Sequence, residues 1–177
     1  MILPTDRLAE RSWLRYPDLL VNNASTLGPL PMSELLDLAP EDLSRVLNIN
    51  TVTPLALIQT LRPWLGAGRG LVVNITSDAA VGAYPGWGGY GTSKAALELL
   101  SLTLAAEARD EGISVVVVDP GDMRTQMHQD AFPGEDISDR PLPDVTLPFW
   151  AWLLGQEPAS VSGQRFQAQA ELWTVAT

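Results

Sequence analysis

No cysteine occurs among the 177 residues, which excludes disulfides and thiolate-held metals. Histidine occurs once, at His128, so there is no imidazole pair for a metal, and a Ser-His-Asp hydrolase would depend on that one residue. No Gly-x-Ser-x-Gly elbow accompanies it, and His128 reads as a lid or surface residue. Charged residues make up only 18%, and the formal net charge is −10 with no Lys/Arg cluster, which argues against nucleic acid as a partner. Apolar runs of the roughly 20 residues that a membrane span needs are missing. The first eighteen residues, MILPTDRLAERSWLRYPD, scatter charge where a signal peptide would be apolar. Together these absences point to a cytoplasmic chain with no membrane or metal partner.

What is present suits a folded protein. Apolar residues make up 46%, enough for the core of a single domain over residues 1–177. Three continuous apolar runs, DLLVNNA (18–24), GLVVNITS (70–77) and ISVVVVDPG (113–121), read as strands covered on both faces. Segments of helical period separate them, the alternation of a parallel α/β sheet. One helix is expected from Glu41 to Leu65, with Pro40 at its first turn and two acidic residues at the positive end of the dipole. A second is expected from Gly89 to Asp110, with Ala95, Leu99, Leu102 and Ala106 as its apolar stripe and Gly112 as its stop. The stretch from His128 to Pro148, rich in Pro and Asp, reads as a loop or lid. The alternating segment from Gly163 reads as a final edge strand, and LPFWAWLLG as a cover for a pocket or a second subunit.

Five places carry candidate chemistry. Tyr90 and Lys94 stand at i, i+4 on one helix face. An ammonium group favours phenolate and lowers a phenol's pKa, which would fit Tyr90 for general acid or base work. Taken alone, the pair reads as a surface tyrosine beside a solvated lysine, since this spacing arises often by chance. Ser77 ends a strand, where ligands bind in parallel sheets, and its hydroxyl could share charge on a substrate oxygen; a helix cap is the alternative. Pro54 removes the helical donor of the Asn50 carbonyl, so a kink is expected and the freed carbonyl could hold a water. Asn22-Asn23-Ala24 and Pro120-Gly121 close two strands in turns.

In order and spacing, these pieces resemble the short-chain dehydrogenase/reductase family, from about Asp18 to Gln169. The resemblance implies a three-layer Rossmann-like α/β fold, here a C-terminal portion of about three to four parallel strands with flanking helices. It implies NAD or NADP as cofactor and hydride transfer with a small carbonyl compound or secondary alcohol. Asn50, Ser77, Tyr90 and Lys94 match the catalytic positions, with Asn50 holding a relay water. Asn23, Tyr90, Lys94, Pro120, Gly121, Met123 and Thr125 match cofactor contacts; Met123 stands where valine is usual, and Ser25 where glycine is usual. Trp87 and the segment after Met127 would line the substrate. The family pairs through helices matching the two long ones here, so a homodimer or homotetramer is expected.

The family's glycine-rich Thr-Gly-x-x-x-Gly-x-Gly turn is not in this sequence, where only a short helix-like segment precedes Asp18. That implies a missing N-terminal cofactor-binding unit and an open apolar edge on the first strand. The second reading is therefore a catalytically silent remnant that acts as an oligomerising binding or regulatory protein.

Overall fold

The computed structural model describes residues 17–175, so the short helical segment expected ahead of the first strand lies outside the described residues. Four parallel strands form one sheet in chain order: β1 (Leu19–Asn22), β2 (Leu71–Ile75), β3 (Ser114–Asp119) and β4 (Arg165–Gln167). The three apolar runs are β1 to β3, and the segment after Gly163 supplies β4. Every residue of β2 and β3 is buried. Burial on both faces is why these strands read as continuous apolar runs instead of alternating. Among the described residues β1 pairs with β2 alone, and its Leu19 and Val21 are 38% and 40% exposed.

The region expected as one helix is three pieces: α1 (Pro40–Leu47), a π-helical turn (Asn48–Val52) and α2 (Thr53–Gly68). Pro54 cannot donate to the Asn50 carbonyl, and Asn48 O instead accepts the Thr53 N–H five residues on. The ladder widens there by one residue. Arg69, in the left-handed region at φ 53°, ends α2 as Gly70 N–H returns to Leu65 O at 2.8 Å.

Helix α3 (Gly88–Glu107) corrects the expected stripe. Ala95, Leu99, Leu102 and Ala106 all face outward, while Tyr90, Ser93, Lys94, Leu97, Ser101 and Ala105 are buried. Burying the more polar face is tolerable because its groups find partners. Ser101 Oγ accepts from Asn74 Nδ2 at 2.7 Å, and Asn74 Oδ1 accepts from Asn22 Nδ2 at 2.7 Å. Gly91 lets the helix start close to the turn after β2, since a Cβ there would lie 2.5 Å from Ala79 O. Gly112, at φ 75°, makes the stop before β3.

The 128–148 segment is more ordered than the expected loop. Helix α4 (Gln126–Ala131) runs into it, with Thr125 Oγ1 accepting the His128 N–H at 3.2 Å as a cap. A 3-10 turn (Pro143–Thr146) then leads into α5 (Leu147–Leu153), each with a proline in its first turn. A short α6 (Pro158–Val161) precedes β4. The Trp-rich stretch covers one sheet face: Phe149 and Leu153 are wholly buried against Val73, Val116 and Val118. Helices α2 and α3 cover the other face through Ile58, Leu65 and Ala105 over Val72 and Val115. The result is a three-layer α/β sandwich.

Candidate active site

The carboxyl ends of β1, β2 and β3 open into a cavity of about 620 Å³. Asn23 follows β1, Ser77 follows β2, and Pro120, Gly121, Met123 and Thr125 follow β3; all line it. Tyr90 and Lys94 enter from α3, and Trp87, Met127, His128 and Trp150 form the outer wall. His128 is therefore a wall residue, its side chain 10% exposed and its Nδ1 3.8 Å from Asp122.

Asn50 is not part of the lining. It sits behind it, 1% exposed, with Oδ1 accepting the Thr26 N–H at 2.9 Å. Its Nδ2 donates to Thr26 O and to Ser93 Oγ, both at 2.9 Å. Ser93 Oγ in turn donates to Tyr90 O at 2.6 Å, so the Asn50 side chain ties the loop after β1 to the backbone of the tyrosine.

Lys94, the only lysine in the sequence, is 3% exposed. Its Nζ donates to Ile75 O at 2.8 Å, which pins the end of β2 and leaves two ammonium protons for other acceptors. Nζ lies 5.5 Å from the Tyr90 ring centroid. Burial pushes the Lys94 ammonium down to about 8. It pushes the Tyr90 phenol up to about 12, against the opposing pull of the Ser77 and Ser25 hydroxyls. The expected lowering of the phenol by the ammonium is thus reversed. Desolvation of a nearly buried phenol is the larger effect, and Asp119 and Asp78 add to it.

Ser77 does cap a turn. Its Oγ accepts the Ala79 N–H at 3.1 Å and donates to Asp78 Oδ1 at 2.9 Å, with its backbone extended at φ −159°. The cap and the cavity position coexist. At the β3 end, Gly121 has φ +73°, and a Cβ there would meet Gln169 Nε2 at 2.7 Å. That amide donates to Pro120 O at 2.9 Å and Asp122 O at 3.0 Å, fixing the turn's backbone.

One group in the site escaped the reading of the sequence. Arg165 on β4 donates to Glu98 Oε1 at 2.9 Å, to Asp119 Oδ2 at 3.2 Å and to Ser77 O at 3.3 Å. Asp119 Oδ1 accepts the Gly121 N–H at 3.0 Å, and Glu98 Oε1 accepts from Thr76 Oγ1 at 2.6 Å. Burial raises the Asp119 carboxyl's pKa, while the Gly121 amide and Arg165 oppose it. One guanidinium therefore joins the two strand ends that bear Ser77 and Pro120.

A parallel sheet with its polar site beyond the strand carboxyl ends defines a Rossmann-like α/β protein. A family model described as short chain dehydrogenase matches residues 9–136, and the chain belongs to that family. It is similar to the uncharacterized oxidoreductase YciK of Escherichia coli K12, 33% identical over 167 residues, covering 92% of this chain and 65% of that protein. It is similar also to human retinol dehydrogenase 5, 42% identical over 109 residues, covering 60% of this chain and 32% of that one. The chain thus spans about two thirds of the first relative's length and about a third of the second's. Among solved structures, a short chain dehydrogenase from Salmonella enterica serovar Typhi superposes with a TM-score of 0.84 at 30% identity, over 94% of this chain and 67% of that one. A short chain dehydrogenase of Escherichia coli CFT073 complexed with NADPH gives 0.82 at 30% identity, over 94% and 69%.

Proposed function

We propose that the chain carries the catalytic portion of an NAD(P)-dependent oxidoreductase that interconverts a small carbonyl compound and its secondary alcohol. The observation that carries this reading is that Ser77, Tyr90 and Lys94 line one cavity together with the Pro120-Gly121 turn. The residues fit a nicotinamide riboside: Lys94 has two protons free for ribose hydroxyls, and the turn of Pro120, Gly121, Met123 and Thr125 lines the same cavity. When bound, the nicotinamide supplies or accepts hydride at the substrate carbon.

The chain's own residues do the rest. Tyr90, with its pKa raised to about 12, is protonated at neutral pH and serves as the acid that gives its proton to the carbonyl oxygen. Ser77 Oγ shares the charge developing on that oxygen. Lys94, mostly charged below about pH 8, holds the ribose and favours the phenolate that Tyr90 becomes. The Asn50 carbonyl, deprived of a donor by Pro54, holds a water that returns the proton. Trp87, Met127 and Trp150 give the substrate an apolar wall.

This proposal covers the nicotinamide end of the site, and it leaves NAD and NADP equally served. No helix of the described residues is long and apolar enough to cross a membrane. A cytoplasmic homodimer or homotetramer belongs to the same reading, supported by exposed Ile49, Val52, Leu99 and Leu102 on adjoining helical segments. The retained catalytic set supports an enzyme over a silent remnant. The test is calorimetric titration with NADH and NADPH, followed by assay against a panel of aldehydes and ketones. Heat and turnover are expected; neither, at millimolar cofactor, would overturn the proposal.

A further inference from the structure

Asp78 plays no part in the chemistry above, yet it holds the proton that this chemistry needs. A serine hydroxyl has one proton, and Ser77 gives it to Asp78 Oδ1 at 2.9 Å. The other carboxylate oxygen, Oδ2, accepts the Tyr84 hydroxyl at 3.0 Å. Asp78 and Ser77 both line the cavity. In this posture Ser77 can accept a hydrogen bond from within the cavity, but donating to a carbonyl oxygen, or to the Tyr90 oxygen it also faces, means leaving Asp78.

We propose that Asp78 is a positioning residue that withholds the Ser77 proton from the substrate until negative charge develops on the reacting oxygen, with Tyr84 steadying the carboxylate. An ionised acceptor binds a hydroxyl about twice as strongly as a neutral one. A ground-state carbonyl oxygen is therefore a poor competitor for the Ser77 proton, whereas an oxygen becoming alkoxide competes on equal terms. The Ser77 hydrogen bond is then made in the transition state and not before it, in exchange for the one given up at Asp78. The hydroxyl contributes nothing to ground-state binding, and Asp78 sets what it can add in the transition state. A plain turn cap needs the Ser77 acceptor role toward Ala79 N–H, which costs the serine no proton; the donation to Asp78 is additional. Asp78 also bears on Tyr90 as a like charge, alongside Asp119, while Lys94 faces the ring from its own helix.

Only the kinetic half of the test rests on the proposed oxidoreductase reading. In the first half, a polyfluorinated tyrosine at position 90 brings the phenol into an accessible pH range, and fluorine NMR follows its titration. Asp78→Asn removes a charge and frees the Ser77 proton to stabilise phenolate, so the midpoint should fall by about half a unit or more. With Ser77→Ala in the background only the charge effect remains, and the fall should be clearly smaller. Equal falls in the two backgrounds would overturn the proposal. Tyr84→Phe, a change at an exposed side chain, leaves the Asp78 carboxylate a stronger acceptor and should raise the midpoint slightly in the Ser77 background; no shift would count against it.

In the second half, Asp78→Asn should raise kcat/KM for a carbonyl substrate about fivefold, the step from a charged to a neutral acceptor. The gain should show in kcat, because the proton given to the developing alkoxide is now drawn from a neutral acceptor in place of a charged one; an unchanged or lower kcat would contradict the role. Unequal NMR falls in a chain without turnover would uphold Asp78's hold on Ser77 and refute the oxidoreductase reading alone.

Discussion

The two faces of α3 differ in a way that composition alone would reverse. Inward it presents Tyr90, Ser93, Lys94 and Ser101; outward it presents Ala95, Leu99, Leu102 and Ala106. The inner polar groups are each bound: Ser93 to Tyr90 O and Asn50, Lys94 to Ile75 O, Ser101 to Leu97 O and Asn74. The outer face has apolar side chains in the open, with Leu99 68% exposed. The buried side carries the proposed chemistry and its support, and the exposed apolar row is the face proposed for association. The lesson is that a helix face is buried when its groups are satisfied there, not when it is the more apolar.

The sharpest way to break that division is Tyr90→Phe on the inner face. Carbonyl reduction should fall about a thousandfold, the range of a lost general acid, with cofactor affinity nearly unchanged by calorimetry. Retained turnover would remove Tyr90 from its role. Packing gives the next contrast. Leu97, 1% exposed, should cost about 3 kcal/mol when changed to Ala, measured by urea unfolding, whereas Leu99→Ala should stay within about 0.5 kcal/mol.

Titration of the inner face follows. The folded value of Lys94, about 8, lies below the ordinary 10.5. Between the two, the unfolded chain keeps a proton that the folded chain has released, so stability should rise with pH through that window, by about 2–3 kcal/mol in all. Tyr90 acts in the opposite sense above about pH 10, where the folded chain keeps a proton the unfolded one loses, and stability should fall. Urea midpoints between pH 7 and 11 test both, and Lys94→Met should abolish the rise. The smallest effect on folding belongs to the outer face. Leu99→Glu with Leu102→Glu should leave the unfolding midpoint nearly unchanged while reducing the size seen by light scattering. An unchanged size would remove this face from any interface.

Much of the frame was legible because local pattern carries it. Continuous valine runs named β2 and β3, Pro54 marked the break at the π turn, and i, i+4 spacing put Tyr90 beside Lys94. Long-range polar pairing was not legible: Arg165 meets Glu98 and Asp119 across 67 and 46 residues, and no periodicity records such a meeting. The same holds for the direction α3 faces, since its outer stripe has helical spacing as good as its inner one. The reversed shift of Tyr90 escaped for a related reason. Adjacency to an ammonium is visible in sequence, but burial of the phenol is not.

The division between the faces of α3 is tested most directly through its inner face. Lys94 is the chain's only lysine, so its side-chain NMR signal reports that one position without ambiguity. Adding NADPH or NADH should shift the signal and move its midpoint from about 8, as the two spare ammonium protons find ribose hydroxyls. A signal that stays in place at millimolar concentrations of either dinucleotide would contradict the claim that this cavity holds the nicotinamide end of the cofactor.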